Sequence, residues 1–135
     1  MYKGKGNTGR LSIFKGRQAK LNFAVFLTLS LKGPQTIYRI HKNIKAQKGL
    51  GHVRYASVNK RVRSLEKSGY VRKKGSKKTA MGIEVAIYEL TEKAQLAMLL
   101  DSIGLEELFT KLDEASASAI LALIKKLKIP AKSRK

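Results

Sequence analysis

Apolar positions fall into blocks whose spacing changes along the chain. From Arg17 to Leu31 they are almost continuous: Leu21, Phe23, Ala24, Val25, Phe26, Leu27, Leu29 and Leu31. A stretch that is apolar on nearly every side predicts a helix lying in a core. Lys32-Gly33-Pro34 stops it. Thr36 can cap the next helix, where Ile37, Ile40 and Ile44 recur at i, i+3 and i+7 over about 12 residues. Its other face is Arg39, His41, Lys42, Asn43 and Lys45. Gly49 and Gly51 make a turn. A third helix runs from Arg54 to Ser68 with the stripe Tyr55, Val58, Val62 and Leu65, and Gly69 stands where a left-handed helix terminator belongs.

Beyond Gly69 the period shortens. Tyr70 to Lys74 predicts a strand, Gly75 to Gly82 a polar hairpin loop, and Ile83 to Leu90 a second strand rich in β-branched and aromatic residues. Thr91 caps a helix carrying Ala94, Ala97, Met98 and Leu99 to about Ser102. Leu105, Leu108 and Leu112 mark a short helix. Ile120, Leu123, Ile124 and Leu127 mark a last one, Ser116 to Lys128, ended by Pro130. The fold class is mainly α with a small β-hairpin (α+β). Residues 1–16, with four Gly and no period, read as a flexible basic arm on which Leu11, Ile13 and Phe14 dock locally, and residues 130–135 as a basic tail.

Charge sharpens this picture. Residues 1–78 hold 21 Lys and Arg against one acid, Glu66; residues 79–135 hold 8 against 8, so the formal charge of +20 lies wholly in the first part. Such an excess repels itself, and a polyanion is the partner that would benefit from it; nucleic acid is the commonest large one. At 135 residues and 43% hydrophobic the chain can bury one core and is not a disordered tail. Without Cys there are no disulfides or thiolate metal sites. The N-terminal residues lack the apolar run of a secretory signal, and the stretch Leu21 to Leu31 is too short to span a bilayer, which takes roughly 20 residues. No membrane partner is expected, and a cytoplasmic, nucleoid-associated location is.

The stretch Ser57-Val58-Asn59-Lys60-Arg61-Val62-Arg63-Ser64-Leu65-Glu66-Lys67-Ser68-Gly69-Tyr70-Val71-Arg72 resembles the recognition helix and first wing strand of winged helix-turn-helix proteins. Transcriptional regulators of the MarR and PadR kind share its ending, "LE..G.V". Tyr88-Glu89-Leu90-Thr91-Glu92-Lys93-Ala94 resembles their "Y.LT..G" exit from the wing, with Ala94 where those families place Gly. The resemblance covers residues 20–100. It implies a winged helix-turn-helix with additional C-terminal helices: a DNA-binding domain over 17–100 and C-terminal helices over 101–129, available for dimerisation.

The residue types have physical reasons. With Val58, Val62 and Leu65 inward, the third helix presents Ser57, Lys60, Arg63, Ser64 and Lys67 outward, with Asn59 and Arg61 on the flanks and Arg54 at its start. Arg and Lys read guanine, Asn reads adenine, and Ser serves base or phosphate. Lys67, at the far end, is placed for phosphate. Glu66 is spaced to pair with Arg63. Arg72, Lys73, Lys74, Lys77 and Lys78 lie on the wing with no acid among them, suited to a phosphate ridge or a minor groove. Ile120, Leu123, Ile124 and Leu127 form a candidate homodimer seam. His41 and His52 read as surface histidines, not metal ligands. No spacing marks a nucleophile with its base, so no catalytic residue, metal or cofactor is expected. The expected function is sequence-specific double-stranded DNA binding by a transcriptional regulator. An RNA-binding or ribosome-associated role, with RNA as partner, and an architectural role coating DNA remain the alternatives.

Overall fold

The computed structural model describes residues 11–127. Most of the expected basic arm, the end of the last helix with Pro130, and the tail lie outside these residues. The chain divides between Asp101 and Ser102 into two compact units.

The first unit opens with a 3-10 turn, Ser12–Phe14, whose Phe14 is buried. Phe14 meets Phe26 and Phe23 edge-on at 5.5 and 6.2 Å between ring centres. Asn22 Nδ2 donates to the Ile13 carbonyl at 3.1 Å and fastens the turn to the first helix. That helix, α1, spans Ala19–Lys32 and buries Ala24, Val25, Phe26, Thr28 and Leu29 together with Asn22. It is not enclosed all round: Phe23 is 42% and Leu31 73% exposed, so the apolar run overstates the burial. Gly33, at φ 80°, breaks it by donating back to the Leu29 carbonyl.

Helix α2, Ile37–Lys45, begins as its cap requires: Thr36 Oγ1 accepts from the Arg39 amide at 3.2 Å. Ile37, Ile40 and Ile44 face the core. The helix is shorter than its spacing suggested, because the chain turns through Gln47 and the left-handed Gly49. Helix α3, Tyr55–Lys67, buries Val58, Val62 and Leu65.

Its end explains the "LE..G.V" pattern physically. The Tyr70 amide donates to the Leu65 carbonyl and the Gly69 amide to the Glu66 carbonyl, the paired bonds of a Schellman motif. Gly69 sits at φ 86°, a conformation side chains resist. Leu65 and Val71 on either side enter the core.

Strands β1, Val71–Lys78, and β2, Glu84–Leu90, pair antiparallel from Val71↔Leu90 to Lys78↔Glu84, with a bulge between Lys73 and Gly75. The first half of the expected loop, Gly75 to Lys78, is therefore ladder, and Lys77 and Lys78 are strand residues. Polar composition does not prevent this, since an antiparallel ribbon tolerates solvent. Gln35 and Tyr88 exchange backbone hydrogen bonds at 3.0 and 2.8 Å, which ties the base of the hairpin to the loop before α2.

Tyr88 and Leu90 complete the core from β2. Thr91 then does two things: its hydroxyl donates to the Gly69 carbonyl at 2.7 Å and accepts from the Ala94 amide at 3.2 Å. It thereby caps α4, Glu92–Ser102, whose Ala94 and Ala97 pack into the core while Leu99 stays exposed. The element order and the single core are those of a winged helix-turn-helix.

The second unit contains α5, Leu105–Lys111, and α6, Glu114–Lys126. Asp113 Oδ1 accepts from the Ser116 amide at 2.7 Å, so α6 starts two residues earlier than Ser116. Neither helix fully buries a side chain. Among the described residues no helix is long and apolar enough to cross a membrane.

Candidate nucleic-acid interface

Burial of Val58, Val62 and Leu65 fixes which side of α3 faces out. Arg54, Ser57, Lys60, Arg63 and Lys67 are exposed; Asn59, Arg61 and Ser64 are half-buried at the flanks. Asn59 and Arg61 were expected on the flanks and the exposed residues outward; Ser64, expected outward, is instead half-buried. Glu66 and Arg63, expected to pair, form no ion pair: the three-residue spacing permits one, but Arg63 lines the groove beside the wing instead.

That groove, about 610 Å3, opens between the start of α2, α3 and the wing. Tyr38, Arg39, Tyr55, Asn59, Arg63 and Lys77 are among its walls. Tyr55 was expected in the core stripe, yet it is 46% exposed, its ring edge-on to His41 at 5.7 Å. It is the first residue of α3, where the helix has only begun to turn against α2. Tyr38 is 60% exposed, with Lys42 Nζ 5.9 Å from its ring centre. Sequence reasoning left Tyr38, Arg39 and Tyr55 out of the site. The signal was available in Tyr38, Arg39, Lys42 and Lys45, which fall along the outward side of α2.

His41 is also more than a surface histidine. It is half-buried, and its Nε2 lies 2.8 Å from the Val53 carbonyl. This contact holds the turn that sets the start of α3. His52 is exposed as expected. The far end of α3 is held by Lys93, whose Nζ donates to the Ser68 carbonyl at 3.0 Å and lies 4.8 Å from the Tyr70 ring centre. A cation at a helix C-terminus also complements the dipole.

On the wing all five expected cations are exposed. They are not equivalent, because the register brings acids from β2 across to them. Arg72 Nε donates to Glu89 Oε2 at 2.8 Å, and Lys74 Nζ lies 3.9 Å from Glu89 Oε1. Glu84 accepts from the Ser76 hydroxyl at 2.8 Å. Lys73, Lys77 and Lys78 enter no ion pair with another described residue. Tyr88, beneath the groove, has its phenol pushed above the ordinary value by burial and by the Glu66 charge, against the opposing charge of Arg63.

Among the described residues no three of His, Cys, Asp and Glu gather into a metal site. The arrangement offers instead a convex cationic helix, a cationic ribbon, and an aromatic-walled groove between them.

No protein-family profile and no curated protein sequence matches the chain. A solved structure does: that of TA0346 from Thermoplasma acidophilum, a candidate transcriptional regulator, at a TM-score of 0.53 and 15% identity. The match covers 84% of this chain and 99% of that one. The fold is a winged helix. Two weaker likenesses are PadR of Bacillus subtilis in complex with operator DNA and FabT of Streptococcus pneumoniae in complex with DNA. PadR matches at a TM-score of 0.49 and 16% identity over 89% of this chain and 82% of that one. FabT matches at 0.39 and 16% over 86% and 79%.

Proposed function

We propose that this winged helix is a transcriptional regulator that binds double-stranded DNA with sequence preference. The observation that carries the reading is the outward side of α3. Its core-facing stripe leaves Arg54, Ser57, Lys60, Arg63 and Lys67 in solvent, without a paired acid, on the helix a winged fold places in the major groove. Lys60 and Arg63 present guanine-reading groups and Asn59 an adenine-reading one; Ser57 serves base or phosphate, Arg61 and Ser64 serve the flanks, and Lys67 takes a phosphate. Lys77 and Lys78, with Lys73, hold backbone phosphates from the wing. The DNA-binding domain is residues 17–100. The protein acts without catalysis, a metal or a cofactor, in the cytoplasm on the nucleoid.

The helices of residues 101–129 supply a homodimer seam in this reading. Ile120, Leu123, Ile124 and Leu127 are 39–59% exposed, more apolar surface than a solvated helix carries without a partner. Two protomers would then meet half-sites about 34–36 Å apart.

The deciding experiment compares labelled duplex DNA, folded RNA and single strands at one stated salt concentration with competitor present. A discrete protected footprint on duplex supports the regulator. Uniform coating of DNA supports an architectural protein, and preference for folded RNA a ribosome-associated one. Salt gives a second reading. Contact with about 5–7 phosphates puts the slope of log K against log salt near −5 to −6, and a slope shallower than about −2 removes the basic face as the contact surface.

A further inference from the structure

We propose that Met81, at the tip of the wing, is an apolar wedge that enters the minor groove of duplex DNA and bends it. The inference rests on the duplex-binding reading above and adds to it a residue, a groove and a deformation.

Met81 is 85% exposed, more than any other large hydrophobic residue among those described, and Ile83 beside it is 59% exposed. Neither has a role in the core. The tip that carries them is nevertheless closed by its own hydrogen bonds. The Thr79 amide donates to the Ile83 carbonyl at 2.8 Å, and the Gly82 amide to the Thr79 carbonyl at 2.9 Å. The Ile83 amide donates to Thr79 Oγ1 at 3.2 Å, and Gly82 takes φ 82°. A short turn followed by a left-handed glycine is a favoured way to close a hairpin. Three hydrogen bonds and a glycine thus hold a single unbranched apolar side chain at the apex.

Its setting selects the partner. Lys77 and Lys78 immediately precede the tip and enter no ion pair with another described residue. An apolar point with free cations behind it suits a groove whose walls are phosphates and whose floor opens onto the apolar faces of stacked bases. Val71, at the base of β1, is buried, and the seven steps from it to Lys78 reach outward by about 23 Å at ~3.3 Å each. The minor groove, ~6 Å wide, admits a thin chain, and wedges between base steps are drawn from Phe, Leu, Ile, Met and Pro. Methionine's flexible, polarisable side chain adapts to an unstacked step. With α3 in the major groove, the wing meets the minor groove about half a turn away, roughly five base pairs. The step there is a pyrimidine–purine one, the kind most easily kinked.

The test uses the full chain and a duplex of about 30 base pairs selected from a random pool, labelled at its ends with a donor–acceptor pair. The same duplex carries 2-aminopurine at single steps. Wild-type protein shortens the end-to-end distance and brightens 2-aminopurine at one step about five base pairs from the α3 footprint. Met81→Ala and the polar, similarly sized Met81→Gln lose both signals and about tenfold in affinity, with the salt slope unchanged. Met81→Leu keeps the bend. Ala at both Lys77 and Lys78 gives the opposite signature, a slope shallower by about 1–2 on all sequences. Because Met81 touches no core residue, melting temperature serves as a control and stays constant. A duplex bound straight by wild type, or bent as well by Met81→Ala, overturns the wedge and leaves duplex binding standing. Absence of duplex binding overturns both.

Discussion

Glu89 restrains the wing, and removing its charge should make the protein bind DNA more tightly. Its carboxylate lies 2.8 Å from Arg72 Nε and 3.9 Å from Lys74 Nζ, so two of the five wing cations share one acid. The pairs are weak ones. The Arg72 and Lys74 side chains are 55% and 59% exposed and Glu89 24%, and ion pairs this wet contribute about 0.2–1 kcal/mol. Glu89→Gln keeps the shape of the strand and should cost less than about 1 kcal/mol of stability. Each cation released to a phosphate steepens the slope of log K against log salt by ~0.9, which at about 0.1 M salt corresponds to nearly tenfold in affinity. Allowing for Arg72 still bonding the amide oxygen, the variant should bind duplex about 3–30-fold more tightly at that salt. The slope should be steeper by about 1–2.

Fluorescence anisotropy of a labelled duplex, titrated from about 50 to 200 mM salt, measures both quantities at once. Thermal unfolding of the free protein separates them from a change in stability. An affinity within twofold of wild type with an unchanged slope would remove Arg72 and Lys74 from the contact surface. A weaker, shallower-sloped complex from a normally folded variant would refute the reasoning more deeply, since Glu89 would then be positioning the cations for DNA instead of withholding them.

Lys60→Ala or Arg63→Ala should cost about 1–3 kcal/mol on the preferred duplex and much less on random DNA, measured by competition; equal losses on both would take base reading away from α3. Leu123→Asp should leave a folded monomer with sharply weaker operator binding, since two linked half-site contacts become one. Sedimentation checks this, and a wild-type monomer at tens of micromolar, or a variant that unfolds, would sink the seam. The pH prediction follows from Tyr88, whose folded pKa is raised above its unfolded value, first by burial and then by the Glu66 charge. Its contribution to stability is complete below about pH 10 and is lost as pH rises through the folded value, so Tyr88→Phe should flatten the alkaline fall in melting temperature relative to wild type.

The helices of the first unit were legible because each announces its core face at helical spacing. Ile37, Ile40 and Ile44 on α2, and Val58, Val62 and Leu65 on α3, are all buried as the spacing requires. Gly69 was legible for a different reason: the left-handed turn it makes excludes most other residues. What failed was anything decided by a partner distant in sequence. Gly75 to Lys78 reads as loop by composition and becomes strand only because Glu84 to Ile87 pairs with it. Tyr55 carries an apolar ring at the right spacing, yet at the first turn of α3 it looks over the groove toward His41. Phe14 sits in a Gly-rich, periodless stretch and is buried because two phenylalanines of α1 receive its ring.

The same rule governs the candidate site. The outward residues of α3 follow from its own stripe, so sequence alone could name them. The wing's charge could not be read this way, since its neutralisation depends on register: Arg72 stands opposite Glu89 across seventeen positions of chain. The charge boundary after residue 78 is likewise not a structural boundary. Residues 79–101 belong to the same compact unit as the basic part and supply Tyr88, Leu90, Ala94 and Ala97 to its core. They also supply Glu84 and Glu89 to the hairpin, where the acids bind Ser76, Arg72 and Lys74. Of the 21 cations in residues 1–78, 13 lie on α2, on α3 with Arg54 at its start, and on β1. The segment after residue 78 pairs with β1 and packs into the core beneath these elements. Such a concentration of cations on the elements that a winged helix presents fits a partner that is long and anionic.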